Sequence, residues 1–151
     1  MTCLALRVLA FCAALPCLSG TAMAQSDQGA HLSIELNAAD QVDAACRISF
    51  VLQNGHASDI TQAVFEAVLF DKEGRVDRMT LFDFGSLPAA RPRVRQFVVP
   101  DLACADLGQV LFNGAATCTV DGASNDAPAQ ATTACTDGLQ LRSLTDTKVT
   151  G

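Results

Sequence analysis

The sequence predicts an all-β sandwich of about seven strands held by two disulfides. Apolar residues alternate over short runs set at regular intervals, the period of half-buried strands. Turn-forming pairs such as Asn54-Gly55 and Asn113-Gly114 punctuate those runs. Once a leader is removed, four cysteines remain, an even set with no close pair.

The chain begins with that leader. Leu4 to Leu18 is a nearly unbroken apolar run, with Arg7 and the amino group of Met1 supplying positive charge at its start. At about fifteen residues it falls short of the ~20 that span a bilayer as a helix. Small residues follow, and Ala22-x-Ala24 fits the side-chain pockets of a signal peptidase. Cys17 follows Pro16, which disfavours lipidation, and Arg7 has no partner for a twin-arginine signal. Residues 1–24 are therefore expected to be a signal peptide and 25–151 a single exported domain, periplasmic or secreted, with no membrane insertion after cleavage.

The mature chain carries nine Lys or Arg against sixteen acids, a net charge of −7. Such a domain is repelled by nucleic acid and by anionic lipid heads, so neither is an expected partner.

The first strand is expected over His31 to Asn37, with Leu32, Ile34 and Leu36 on one face. Cys46 to Gln53 repeats the pattern through Cys46, Ile48, Phe50 and Leu52. Ile60 to Asp71 admits two readings. Asp59 and Gly74 suit the ends of a helix, but the β-branched and bulky residues at both parities fit a strand buried on both faces better. The turn Asp71-Lys72-Glu73-Gly74 then leads into Val76 to Phe84, making a hairpin. Leu87 to Pro92 connects to a strand from Arg93 to Val99. Leu107 to Phe112 is expected to turn at Asn113-Gly114 and return through Cys118. Leu139 to Val149 is expected to close the domain as one last strand.

The mature cysteines are Cys46, Cys104, Cys118 and Cys135. In an exported domain four cysteines read as two disulfides with three possible connectivities. Zinc is disfavoured because the closest spacings are fourteen and seventeen positions, without the close pairs of a tetrahedral site. Cys118–Cys135 with Cys46–Cys104 is the favoured set. The first closes a polar segment, Asp121 to Ala134, at a gain of about 3 kcal/mol in the chain-entropy view. The second joins the start of an early strand to the start of a late one.

Leu52-x-Asn54, Ile60, Phe65 to Asp71, Gly74, Val76 and Leu87-Pro88 together resemble the B-C-C′-E core of immunoglobulin-like bacterial export domains. The stretch Leu81 to Phe97 resembles a family of uncharacterised bacterial exported proteins, some labelled as Tat pathway signal sequence domain proteins. This chain departs from that label in lacking paired arginines. The resemblance implies an immunoglobulin-like β-sandwich, in which facing parallel strands B and F bring Cys46 near Cys104. The family lends no function.

Catalytic groups are scarce. His31 and His56 are the two histidines and both fall in polar or terminal segments. Asp71, Asp77 and Asp83 lie near the central hairpin and read as turn or solvated residues rather than a carboxylate dyad or calcium site. No glycine loop, nucleophile elbow or metal-binding helix motif is present, so neither cofactor nor metal is expected. The mature chain lacks Trp and Tyr, the usual stacking platforms for sugars. Its phenylalanines fall in strand-like runs and are expected in the core.

One feature stands against the acidic background. Arg91, Arg93 and Arg95 alternate, so a strand projects them from one face. They could grip an anionic ligand or an acidic partner; the plainer reading is a solvated face or a guarded sheet edge. The expectation is a non-catalytic binding or structural accessory protein of the envelope, with an unknown envelope protein as partner. The competing readings are a small-anion binder using the arginine row and a carboxylate hydrolase.

Overall fold

The computed structural model describes residues 29–122 and 133–151. The leader expected over residues 1–24 lies outside them, as does most of the polar segment between Cys118 and Cys135. Eight strands are present: β1 (Leu32–Val42), β2 (Ala45–Asn54), β3 (Ile60–Asp71), β4 (Val76–Leu87), β5 (Pro92–Pro100), β6 (Leu107–Val120), β7 (Gln140–Ser143) and β8 (Lys148–Thr150). They form two four-stranded sheets, ordered β5-β2-β1-β7 and β4-β3-β6-β8, packed as a sandwich.

The alternation seen in the sequence sets the inner faces. Leu32, Ile34 and Leu36 of β1, and Cys46, Ile48, Phe50 and Leu52 of β2, are fully buried. Their antiparallel register places Ile34 opposite Leu52 and Leu36 opposite Phe50, so each pair fills one layer of the core. Phe50, Phe65, Phe82, Phe84, Phe97 and Phe112 meet at ring-centroid distances of 4.7–6.2 Å, several of them edge to face. Phe70 is the exception to the core expectation. It lies at the end of β3 and stays half-buried beside an open cleft.

β3 resolves the ambiguous segment as a strand. It is central, pairing antiparallel with β4 on one side and β6 on the other. Phe65, Ala67 and Leu69 point into the core, while Val68 is also buried on the other face, flanked in register by Met79 and Leu111. The hairpin to β4 forms as expected. Gly74 adopts a φ of 80°, and the Asp71 carboxylate accepts the backbone N–H groups of Glu73 and Arg75.

Two expectations need correction. Asn113-Gly114 is not a turn, because β6 runs on for fourteen residues to Val120. β3 offers it a partner along its whole length, and ladder bonds outweigh a local turn preference. The extra residues are absorbed as bulges, Asn113 between the pairs Ala67–Phe112 and Glu66–Gly114, and Ala116 between Phe65–Ala115 and Val64–Thr117. Two bulges restore parity, so that Cys118 faces inward like Phe112.

The closing segment is two strands, which raises the count to eight. β7 pairs parallel with β1 in one sheet, and β8 pairs parallel with β6 in the other. Between them Ser143 and Thr145 form a hydroxyl-bonded turn, and buried Thr147 donates its hydroxyl to the Leu107 carbonyl. One straight strand cannot serve two sheets, so the chain bends at 144–147 and crosses. These parallel pairs depart from the all-antiparallel sheets of an immunoglobulin domain.

Both disulfides have the favoured pairing. Cys46–Cys104 joins β2 to a 3-10 turn (Cys104–Asp106) just before β6, and so ties one sheet to the other. Cys118–Cys135 joins β6 to a single helical turn over 133–136.

Candidate functional site

The two sheet orders leave two margins. At one, β7 and β8 lie together and the chain itself passes between the sheets. At the other, β4 and β5 are the outermost strands, and no strand among the described residues joins them. Side chains close that seam instead. Arg95 of β5 donates from Nε to the Phe84 carbonyl at 2.7 Å and from a terminal nitrogen to the Ser86 carbonyl at 3.2 Å. Arg78 of β4 reaches the other way, to the Pro100 carbonyl at 2.8 Å and toward that of Asp101 at 3.4 Å. Between these two stitches the Phe82 and Phe97 rings pack 4.7 Å apart. The strands thus run in opposite directions across the seam.

This geometry places the arginine row. Val99 is buried and Phe97 packs on the core, so Arg95 and Arg93, which share their parity, turn toward the seam rather than outward. Arg91 precedes the strand, is exposed, and donates its backbone N–H to Pro88. The three residues are neighbours, but they do not present one flat row of guanidinium groups. Arg95 works as an inward-pointing edge charge, a device that keeps sheet edges from pairing indiscriminately. Pro92 and Pro100 suit the same margin, since a residue on an edge strand can lack its N–H.

The outward positions of these strands are the ones the sequence reading passed over. Met79 is 65% exposed, Leu81 58%, and Val94 and Val98 60% each. Their signal was available: Val94 and Val98 alternate with the arginines, and Met79 and Leu81 hold the parity opposite Phe82 and Phe84. Met79, Leu81 and Val98 border a shallow groove of about 280 Å³ along the seam.

A second cleft, of about 420 Å³, opens at the end of the sandwich by the β3–β4 hairpin. Phe70, Asp71, Asp77, Asp101 and Asp106 line it, together with Lys72 and Arg75. The Asp71 carboxyl is held below its ordinary value of 3.8, chiefly by the Arg75 backbone N–H, with the Arg75 guanidinium adding to the effect against some desolvation. Asp77 pairs with Arg78. Asp83, by contrast, accepts from Gln62 at 2.6 Å and from the Gly85 N–H, toward the other end of β4. The three aspartates are therefore split between two places. Among the described residues no group of three His, Cys, Asp or Glu is arranged to hold a metal ion.

The histidines are also apart. His31 bonds the Gly29 carbonyl at the start of the described chain. His56 bonds the Ala134 carbonyl at 2.7 Å and so fastens the turn that carries Cys135. Asn54, which the sequence marks as half of a turn pair and as part of the immunoglobulin-like resemblance, is fully buried and organises that end of the sandwich. Its amide donates to the carbonyls of Ser58 and Leu87, and its side-chain oxygen accepts the His56 N–H.

No protein-family model matches the chain, and no curated protein matches it; the family resemblance read from the sequence thus gains no support from a family model. Among solved structures the chain is similar to IrmA from Escherichia coli, at 15% identity and a TM-score of 0.49. That match covers 64% of this chain and 80% of the other. The class that fold and geometry define is a disulfide-pinned all-β sandwich with one margin closed by its own chain and one closed by side chains. No helix among the described residues is long and apolar enough to cross a membrane.

Proposed function

We propose that this is an exported, non-catalytic sandwich that serves as a binding or structural accessory protein of the cell envelope, working through the β4–β5 margin. One observation carries the reading: four exposed apolar side chains, Met79, Leu81, Val94 and Val98, lie on the two edge strands whose outer side no strand among the described residues covers. The leader pattern and the disulfides support an address outside the cytoplasm. The antiparallel orders β5-β2-β1 and β4-β3-β6 support an immunoglobulin-like core.

The competing readings draw less support. A small anion would need converging arginines, and Arg95 directs its donors at backbone carbonyls. A carboxylate hydrolase would need two acids facing one substrate, and Asp71 is engaged with Arg75 while Asp83 lies elsewhere.

The test places a photo-reactive residue at Val98 or Leu81 in the chain expressed in its own envelope. Leu144, equally exposed at 67% but near the closed margin, is the control. Capture of a protein from Val98 and Leu81 and not from Leu144 is expected. Capture from all three positions alike, or from none, would contradict the proposal.

A further inference from the structure

The charges along the free margin are unevenly placed. Arg91 and Arg93 lie at one end, beside the Leu87–Pro92 connector, and neither guanidinium enters an ion pair among the described residues. Asp101 and Asp106 lie at the other end, lining the hairpin cleft, and neither carboxylate has a hydrogen-bond or ion-pair partner there. The remaining charges of the cleft are largely matched within it: Arg75 faces Asp71 and Glu73, and Arg78 faces Asp77, with Lys72 on the rim. At the arginine end Asp59 and Asp83 are held by backbone N–H groups. The margin thus carries unpaired arginines at one end and unpaired carboxylates at the other, with the groove bordered by Val98, Met79 and Leu81 between them.

Nine residues of β5 set the two ends roughly 30 Å apart. That is several times the screening length of about 8 Å at physiological salt, so each end acts as its own local field. A surface of this kind is self-complementary. Turned about a two-fold axis across the seam, a second copy brings its Asp101 and Asp106 to Arg91 and Arg93, and its own arginines to the first copy's acids. The apolar middle meets itself. This is the anatomy of an isologous contact, an apolar centre with a polar rim and each contact made twice.

We infer that the partner of the β4–β5 margin is a second copy of this chain, docked antiparallel along the seam. This rests on the reading of that margin as the working surface and names its occupant. Side chains make the contact, because Arg95 and the two prolines obstruct backbone pairing at the edge.

The experiment uses the disulfide-bonded protein purified from the envelope fraction, followed by sedimentation over a range of concentration and salt. Concentration-dependent dimers that weaken as salt rises are expected. Arg91→Glu with Arg93→Glu, and separately Asp101→Asn with Asp106→Lys, should each weaken self-association about tenfold or more. Asn at 101 keeps a residue type that tolerates the left-handed backbone there (φ 54°). Mixing the two variants should restore pairing, since both contacts of the mixed dimer are then between opposite charges. Val98→Asp provides a variant outside the charged ends and should also give monomers, which melt close to the parent once the parent is diluted to its own monomeric range.

A protein that stays monomeric at every concentration overturns the second copy. If Val98 nevertheless captures a different envelope protein by photo-crosslinking, only this inference falls. If neither dimer nor capture is seen, the reading of the margin falls with it. Dimers that ignore both charge sets, or a mixture that fails to recover, place the contact elsewhere and overturn the inference.

Discussion

The two margins of the sandwich solve the same problem by different means. Where β7 and β8 lie, the backbone crosses from one sheet to the other, and each short strand adds ladder bonds to its sheet. Where β4 and β5 lie, closure depends on Arg78, Arg95 and one pair of phenylalanine rings. Backbone closure leaves little for a partner to use. Closure by side chains leaves apolar groups and unpaired charges on display, so the less complete margin is the one suited to contact.

The comparison can be broken first at the covalent level. Replacing Cys46 and Cys104 together with Ala should cost about 4 kcal/mol, because 58 positions separate them; replacing Cys118 and Cys135 should cost about 3, for a separation of 17. Denaturant titration checks both. The second pair should also loosen the closed margin selectively, since Cys135 anchors the segment that leads into β7. Faster amide exchange in β7 than in β5 is the expected sign, and uniform exchange would contradict it.

Close backbone approach comes next. A methyl group at Gly108 would collide with the Asp71 carbonyl and the Lys72 backbone. All three nearest atoms belong to the Asp71–Lys72 backbone, so no flexible side chain can yield. Gly108→Ala should cost about 1–3 kcal/mol, read as a lowered denaturation midpoint with unchanged slope.

A matched pair of substitutions then compares the margins directly. Thr147→Val at the closed margin takes a hydroxyl from the buried Leu107 carbonyl and should cost about 1–3 kcal/mol. Arg95→Met at the free margin leaves the Phe84 and Ser86 carbonyls within reach of water and should cost about 1 kcal/mol or less. Equal costs would mean that the seam is sealed as firmly as the closed side.

The smallest effect concerns pH. The folded protein holds the Asp71 carboxyl below its ordinary value of 3.8, so its stabilising share is complete above that value. It is lost as pH falls below 3.8 and through the folded value. Asp71→Asn should flatten that part of the acid melting profile while leaving the profile above about pH 5 nearly parallel to the parent.

Much of this architecture is legible in the residues. The buried faces of β1 and β2 follow from strict alternation, and β3 reads as a strand because both of its parities are apolar, as suits the centre of a sheet. The even cysteine count gives two disulfides but leaves three pairings open; the polar segment that Cys118–Cys135 closes favours the one the structure has. What the residues do not reveal is long-range pairing. Asn113-Gly114 has the chemistry of a turn, and only the uninterrupted partner strand β3 converts it into a bulge. Leu139 to Val149 alternates acceptably as one strand, and the crossing between sheets depends on where β1 and β6 end up. The arginine row was visible as a period of two, yet alternation gives parity without saying which face is inner. Phe97 and Val99 share that parity and carry the answer.

The working role of the β4–β5 margin is tested most directly by exchanging comparably exposed apolar residues at the two margins. At concentrations where the parent is monomeric, Val98→Asp and Leu144→Asp should both melt close to the parent, because each side chain then lies more than half in solvent. In envelope photo-crosslinking from Leu81, Val98→Asp should abolish capture and Leu144→Asp should leave it intact. Capture that survives Val98→Asp, or is lost with Leu144→Asp, would contradict the assignment of the β4–β5 margin as the working surface.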